Sequence, residues 1–90
     1  MIKKIHTTPQ FIHKFKQLDK SVRIEVIEEI QHFKSNPLDP SFGIHPLKKE
    51  FKGFHAFSLA PNLRIIFKFI KNDFSEIVFY DIGPHEIYLN

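Results

Sequence analysis

The chain contains no cysteine and no tryptophan. Without cysteine there is no disulfide framework, no thiolate zinc site and no thiol nucleophile, a composition that suits a reducing cytosol. No apolar run approaches the ~20 residues needed to span a bilayer, and the opening MIKKIHTT lacks the long apolar stretch of a secretory signal. The sequence is therefore read as cytoplasmic, with no membrane partner. Glycine is scarce, at 3 residues, and neither a glycine-rich phosphate loop nor a nucleophile elbow is present. The histidines, His6, His13, His32, His45, His55 and His85, show no metal-ligand spacing, and His85-Glu86 lacks the second histidine of a zinc-protease helix. The expectation is a protein with no metal and no cofactor.

What is present suits a single small core. Ninety residues make one domain, 1–90, of a size that buries roughly 60–65% of its unfolded surface, and 42% hydrophobic content with 11 phenylalanines can fill that core. The net charge of +3 is modest but unevenly placed. Between His45 and Lys71, the residues Lys48, Lys49, Lys52, Arg64, Lys68 and Lys71 face only Glu50, whereas Glu25, Glu28 and Glu29 form an acidic stretch before them. One part of the surface should attract polyanions. A solvated lysine-rich loop with no partner would show the same charge pattern.

Periodicity divides the chain into a helical and a β half. IKKIH reads as a short strand whose lysines would guard an exposed edge. Thr8 is placed to cap a helix with Pro9 at its first position, and Phe11, Phe15 and Leu18, with Ile12, share one helical face. Asp19 opens a second helix in which Val22, Val26, Ile30 and Phe33 repeat at helical spacing and Ile27 widens the stripe; Asn36-Pro37 ends it. The segment PLDPSFGIHPL is a connector. FKGFHAFSL, NLRIIFKFI and SEIVFYDI then read as three strands, whose short separations require an antiparallel meander. In the middle strand Leu63, Ile65, Phe67 and Phe69 should carry the helices, leaving Arg64, Ile66, Lys68 and Ile70 on a partly open face. The expected fold is α+β, in the order β-α-α-β-β-β: an antiparallel twisted sheet with a helical hairpin on one face.

The sheet half gathers His45, His55, His85, Arg64, Tyr88 and the lysines 48, 49, 52 and 68. Such a set suits metal-free phosphoryl chemistry on RNA, in which a 2′-hydroxyl attacks the adjacent phosphate. That reaction needs a base, an acid and fixed cations around the phosphorane. Histidine titrates near neutral pH and can serve either proton transfer. Arginine grips phosphate through a fork of donors, and Lys48, Lys49, Lys52, Lys68 and His55 would supply further RNA contacts. Each has a plainer role open to it: His45 beside Pro46 can simply close a loop, His55 can be an ordinary strand residue, and Tyr88 can cover the core. Arg64 sits among apolar residues, where a guanidinium needs either a carboxylate such as Asp81 or an anionic ligand.

The run HPLKKEFKGFHAFSLAPNLRIIFKF, followed by DIGPHEIY, resembles the RelE/ParE superfamily of toxins from toxin–antitoxin modules, and within it the RelE and YafQ-like branches. The similarity covers nearly the whole chain, matching by residue from His45 to Tyr88 and by pattern in the helices. It implies a RelE-like fold and an endoribonuclease that enters the ribosomal A site, against 16S ribosomal RNA, and cuts messenger RNA. A cognate antitoxin would hold that activity in check within a hetero-oligomer. By this resemblance His45 and His85 match the YafQ-like active-site histidines, Arg64 the phosphate-stabilising arginine of the RelE branch, and Tyr88 the terminal aromatic that orients substrate. Where YafQ-like enzymes carry a histidine and then an Asp-Trp pair, this chain has Ser58 and Asn62-Leu63. Two other readings stay open: a ParE-like inhibitor of DNA gyrase, and a non-catalytic module that binds only antitoxin or RNA.

Overall fold

The structure is a computed structural model and describes residues 1–59 and 62–84. Strand β1 (Lys4–Thr7) leads into helices α1 (Pro9–Lys16) and α2 (Lys20–Ser35). A 3₁₀ turn at Pro40–Phe42 precedes a two-residue strand β2 (His45–Pro46), and a second turn at Lys49–Phe51 precedes β3 (His55–Leu59), β4 (Leu63–Phe69) and β5 (Glu76–Gly83). The strands form one sheet in the order β1-β5-β4-β3-β2. Two helices on a five-strand sheet make the expected α+β fold.

The β3-β4-β5 meander is antiparallel, as the short connections require. The first strand differs from expectation: β1 joins β5 in parallel, with Ile5 opposite Ile77 and Thr7 opposite Phe79. Its route to β5 runs through most of the chain, so no short linker fixes its direction. Lys3 and Lys4 are exposed at this edge of the sheet, where they deter pairing with another strand. The connector also holds more than a link, since His45–Pro46 pairs antiparallel with β3 as the opposite edge.

Helix α1 begins where Thr8-Pro9 places it. Thr8 Oγ1 accepts the Phe11 amide at 3.0 Å and donates to the Tyr80 carbonyl at 2.7 Å, so one hydroxyl both caps the helix and ties it to β5. Thr8→Ala should therefore cost about 1–2 kcal/mol, the upper part of the capping range, read as a lower chemical-denaturation midpoint at unchanged slope. Asp19 precedes α2 as expected, but its side chain makes no capping bond.

Leu63, Ile65, Phe67 and Phe69 face the helices, as alternation predicts, together with Phe57, Leu59, Ile77, Phe79 and Ile82. From α2, Val26 and Phe33 enter this core fully, with Val22 and Ile30 at its margin. Ile12 and Ile27 do not join it. Ile27 is 49% exposed, because the α2 surface in contact with the sheet is narrower than its apolar stripe.

On the other face the sheet is less open than its polar alternation suggests. Ala56 and Ile66 are buried beneath Leu47, and Phe51, Phe54 and Tyr80 pack around them. The loop that delivers this cover closes on itself: Leu47 N–H donates to the Phe54 carbonyl and Phe54 N–H to the Phe51 carbonyl, both at 2.9 Å. Gly53 makes the reversal with φ of 95°, a conformation that side-chain-bearing residues rarely adopt. Among the described residues no helix is long and apolar enough to cross a membrane.

Candidate nucleic-acid interface

The site builds from the central strand β4. Arg64, Ile66 and Lys68 alternate onto the face away from the helices, and Arg64 lies between Ser58 of β3 and Gly83 of β5. Both cross-strand neighbours are small. The guanidinium is half-buried, and one of its nitrogens donates to the carbonyl of Leu63 at 3.1 Å. No carboxylate pairs with Arg64 among the described residues. Asp81, the carboxylate the sequence offers it, is 6% exposed and committed elsewhere. Its oxygens accept Lys14 Nζ at 3.0 Å and the Ile82 amide at 2.9 Å. A half-buried fork of donors without a counter-charge among the described residues suits an anion.

His45 pairs with Ala56, which faces the same side as Ile66. Two strands and two residues along each strand separate it from Arg64, or about 12 Å between α-carbons from ordinary sheet spacings. A long arginine and an imidazole can span that gap to meet at one phosphate. The Nδ1 of His45 lies 3.0 Å from the Gly43 carbonyl. A carbonyl only accepts, so Nδ1 is the donor in this contact and carries a proton.

His55 is turned the other way. It pairs with Phe67 across β3 and β4, and its ring meets Phe69 edge-on at 4.9 Å, on the helix-bearing face. Its Nδ1 is buried and has no hydrogen-bond partner among the described residues. Burial first, and the nearby His45 second, hold its pKa below the usual histidine value. The ring lies on the opposite face of the sheet from Arg64.

Lys48, Lys49 and Lys52 are exposed on the loop that covers Ile66. Lys68 is exposed as well, with Nζ 5.3 Å from the centroid of the Phe54 ring. These cations border the same face as Arg64 and His45. His85 and Tyr88 lie outside the described residues. β5 ends at Gly83, directly beside Arg64. Among the described residues no three His, Asp or Glu side chains come together in a way that could hold a metal ion.

Sequence reasoning did not single out Phe51, Phe54 and Tyr80, which shape the floor of this face. The aromatic residues flanking Gly53 in F-K-G-F were the available sign, because a glycine reversal between two phenylalanines brings both rings to one side.

Arranged in this way, the chain has the fold of the RelE/YafQ-like toxin superfamily. It superposes on a chain of the Escherichia coli DinJ-YafQ toxin–antitoxin complex with a TM-score of 0.72 at 18% identity, covering 98% of each chain. The RelBE2 toxin–antitoxin complex of Mycobacterium tuberculosis matches with a TM-score of 0.72 at 15% identity, covering 92% of this chain and 98% of that one. A copper-bound mutant toxin from Helicobacter pylori is 29% identical, with a TM-score of 0.62 over 93% of this chain and 96% of that one. No protein-family model matches the chain, and no curated protein matches it by sequence.

Proposed function

We propose that the protein is the toxin of a type II toxin–antitoxin module and acts as a ribosome-dependent, metal-free endoribonuclease that cuts messenger RNA in the A site and so inhibits translation. The observation that carries this reading is Arg64, a half-buried guanidinium between Ser58 and Gly83 with no carboxylate partner among the described residues. The four flanking lysines supply a diffuse attraction for nucleic acid.

In the reaction a 2′-oxygen forms a bond to the adjacent phosphorus while the bond from phosphorus to the 5′-oxygen breaks. One histidine takes the 2′-hydroxyl proton and another gives a proton to the departing 5′-oxygen. His45 and His85 fill these roles, Arg64 stabilises the charge gathering on the phosphorane, and Tyr88 orients the substrate. Ser58 stands where YafQ-like enzymes carry a further histidine, which leaves His45 and His85 as the proton-transfer pair. The partner that restrains the toxin is a cognate antitoxin whose acidic segment covers the basic face. Two of the structural neighbours are toxin–antitoxin complexes, which supports such a partner.

The direct test is a cell-free translation reaction with purified protein, mapping messenger 5′ ends by primer extension for wild type and His85→Ala. New ends within translated codons that disappear in the variant are expected. Intact messenger with undiminished translation would overturn the nuclease reading and favour gyrase inhibition or a binding module.

A further inference from the structure

Phe54 and Tyr80 form a pair that the proposed cleavage chemistry does not use. Their ring centroids are 4.9 Å apart with planes inclined by 54°, and both rings are only partly buried. The register of β4 against β5 shifts here: Ile66 lies opposite Asp81 and Phe67 opposite Phe79, so Tyr80 is the extra residue of a bulge. A bulged residue has no cross-strand partner of its own, and the Tyr80 ring rests on Phe54 instead. Lys68 holds its ammonium over Phe54, and Phe51 meets Phe54 edge-on at 6.2 Å. Ala56, Ile66 and Leu47 already seal the sheet beneath, leaving the two rings at a surface bordered by cations.

We propose that Phe54 and Tyr80 form a nucleobase-stacking subsite, with Lys68 binding the adjoining phosphate. This deepens the RNA reading above and rests on it. Arg64 and Lys68 share a strand face four residues apart, about 13 Å at strand spacing, and the Tyr80 bulge lies opposite the Ile66–Phe67 step between them. A single strand with one phosphate at Arg64 and another at Lys68 therefore passes over the aromatic pair. A base arriving on Phe54 displaces the ammonium towards the neighbouring phosphate, so a cation–π contact gives way to stacking and an ion pair. Aromatic stacking accepts any base, so the subsite fixes register along the strand rather than base identity.

The chain has 2 tyrosines and no tryptophan, so the quenching that disappears in Tyr80→Phe, which keeps the stacking ring, belongs to Tyr80. The probe is a 2′-O-methylated tetranucleotide, which cannot be cleaved, set against an abasic ribose-phosphate of equal length. A fluorescent label on each probe reports binding independently of tyrosine emission. The expected result is saturable quenching of Tyr80 by the base-bearing probe and binding about 10-fold or more tighter than the abasic one, from roughly one stacked base. Phe54→Leu should shrink that ratio while retaining the salt dependence. A merely structural role would lower the thermal midpoint of Phe54→Leu and leave the ratio unchanged. If that variant does not fold, the part of the quenching that Tyr80→Phe removes decides alone. Equal binding of both probes without quenching overturns the stacking subsite but leaves the basic face intact as an RNA contact. No saturable binding of either probe overturns the subsite and removes its support from the RNA reading.

Discussion

Arg64→Ala should reduce messenger cleavage on ribosomes by ~10²–10³, the effect of removing one preorganised donor from a developing oxyanion. The size follows from the position of the guanidinium. Its cross-strand neighbours Ser58 and Gly83 are small, its partial burial weakens competition from water, and no carboxylate among the described residues absorbs its charge. The exposed lysines cannot replace it, because flexible point charges attract a polyanion without holding a transition state. Arg64→Lys should accordingly recover only a small part of the loss. Stability gives the control. The hydrogen bond described for Arg64 goes to the carbonyl of its own neighbour Leu63, so removing it should shift the thermal midpoint very little. A variant that folds like the wild type and cleaves like it would refute the proposed clamp.

How far such a site can be read from sequence depends on whether the interactions that create it are local. Thr8-Pro9 announces α1 because a cap and a fixed φ act within one turn, and the alternation of β4 assigns Arg64 and Ile65 to opposite faces because strand geometry has a period of two. The parallel β1–β5 pair carries no such sign, since its partners Ile5 and Ile77 are far apart in the chain and either direction would satisfy their pattern. Asp81 shows the same limit. Arg64 needs a carboxylate such as Asp81 or an anion, but the bulge at Tyr80 and the arrival of Lys14 from α1 settle the pairing of Asp81, and neither is local. The loop over Ile66 is hidden for the same reason, because FKGFHAFSL looks like one strand until Gly53 reverses the chain and folds Phe51 and Phe54 onto the sheet. His55 illustrates a partial reading: its alternation against Ser58 was legible, whereas its desolvation against Phe67 and Phe69 needed the packed sheet.

Phe33→Ala should be the most damaging single truncation in the core. Phe33 is 0% exposed and lies flat on Phe57, with centroids 3.8 Å apart and planes within 2°. Phe42 and Phe67 meet it edge-on at 5.2 and 5.8 Å, so one ring joins α2, the 3₁₀ turn, β3 and β4. Those neighbours belong to separate elements and cannot collapse together to fill the void. The expected loss is about 3–5 kcal/mol, against a total of about 5–13 kcal/mol for a chain of this length. The thermal midpoint should fall by tens of degrees, from about 4–8 °C per kcal/mol. Phe33→Leu, which keeps much of the volume, should lose clearly less. The two largest predictions then separate by temperature: cleavage by Phe33→Ala should recover on cooling to about 15 °C, near the usual maximum of stability, as the folded fraction rises. Arg64→Ala is folded already and should gain nothing relative to wild type. Recovery of both, or of neither, would mean that stability and the phosphate clamp are not the separate functions assigned to the two faces of this sheet.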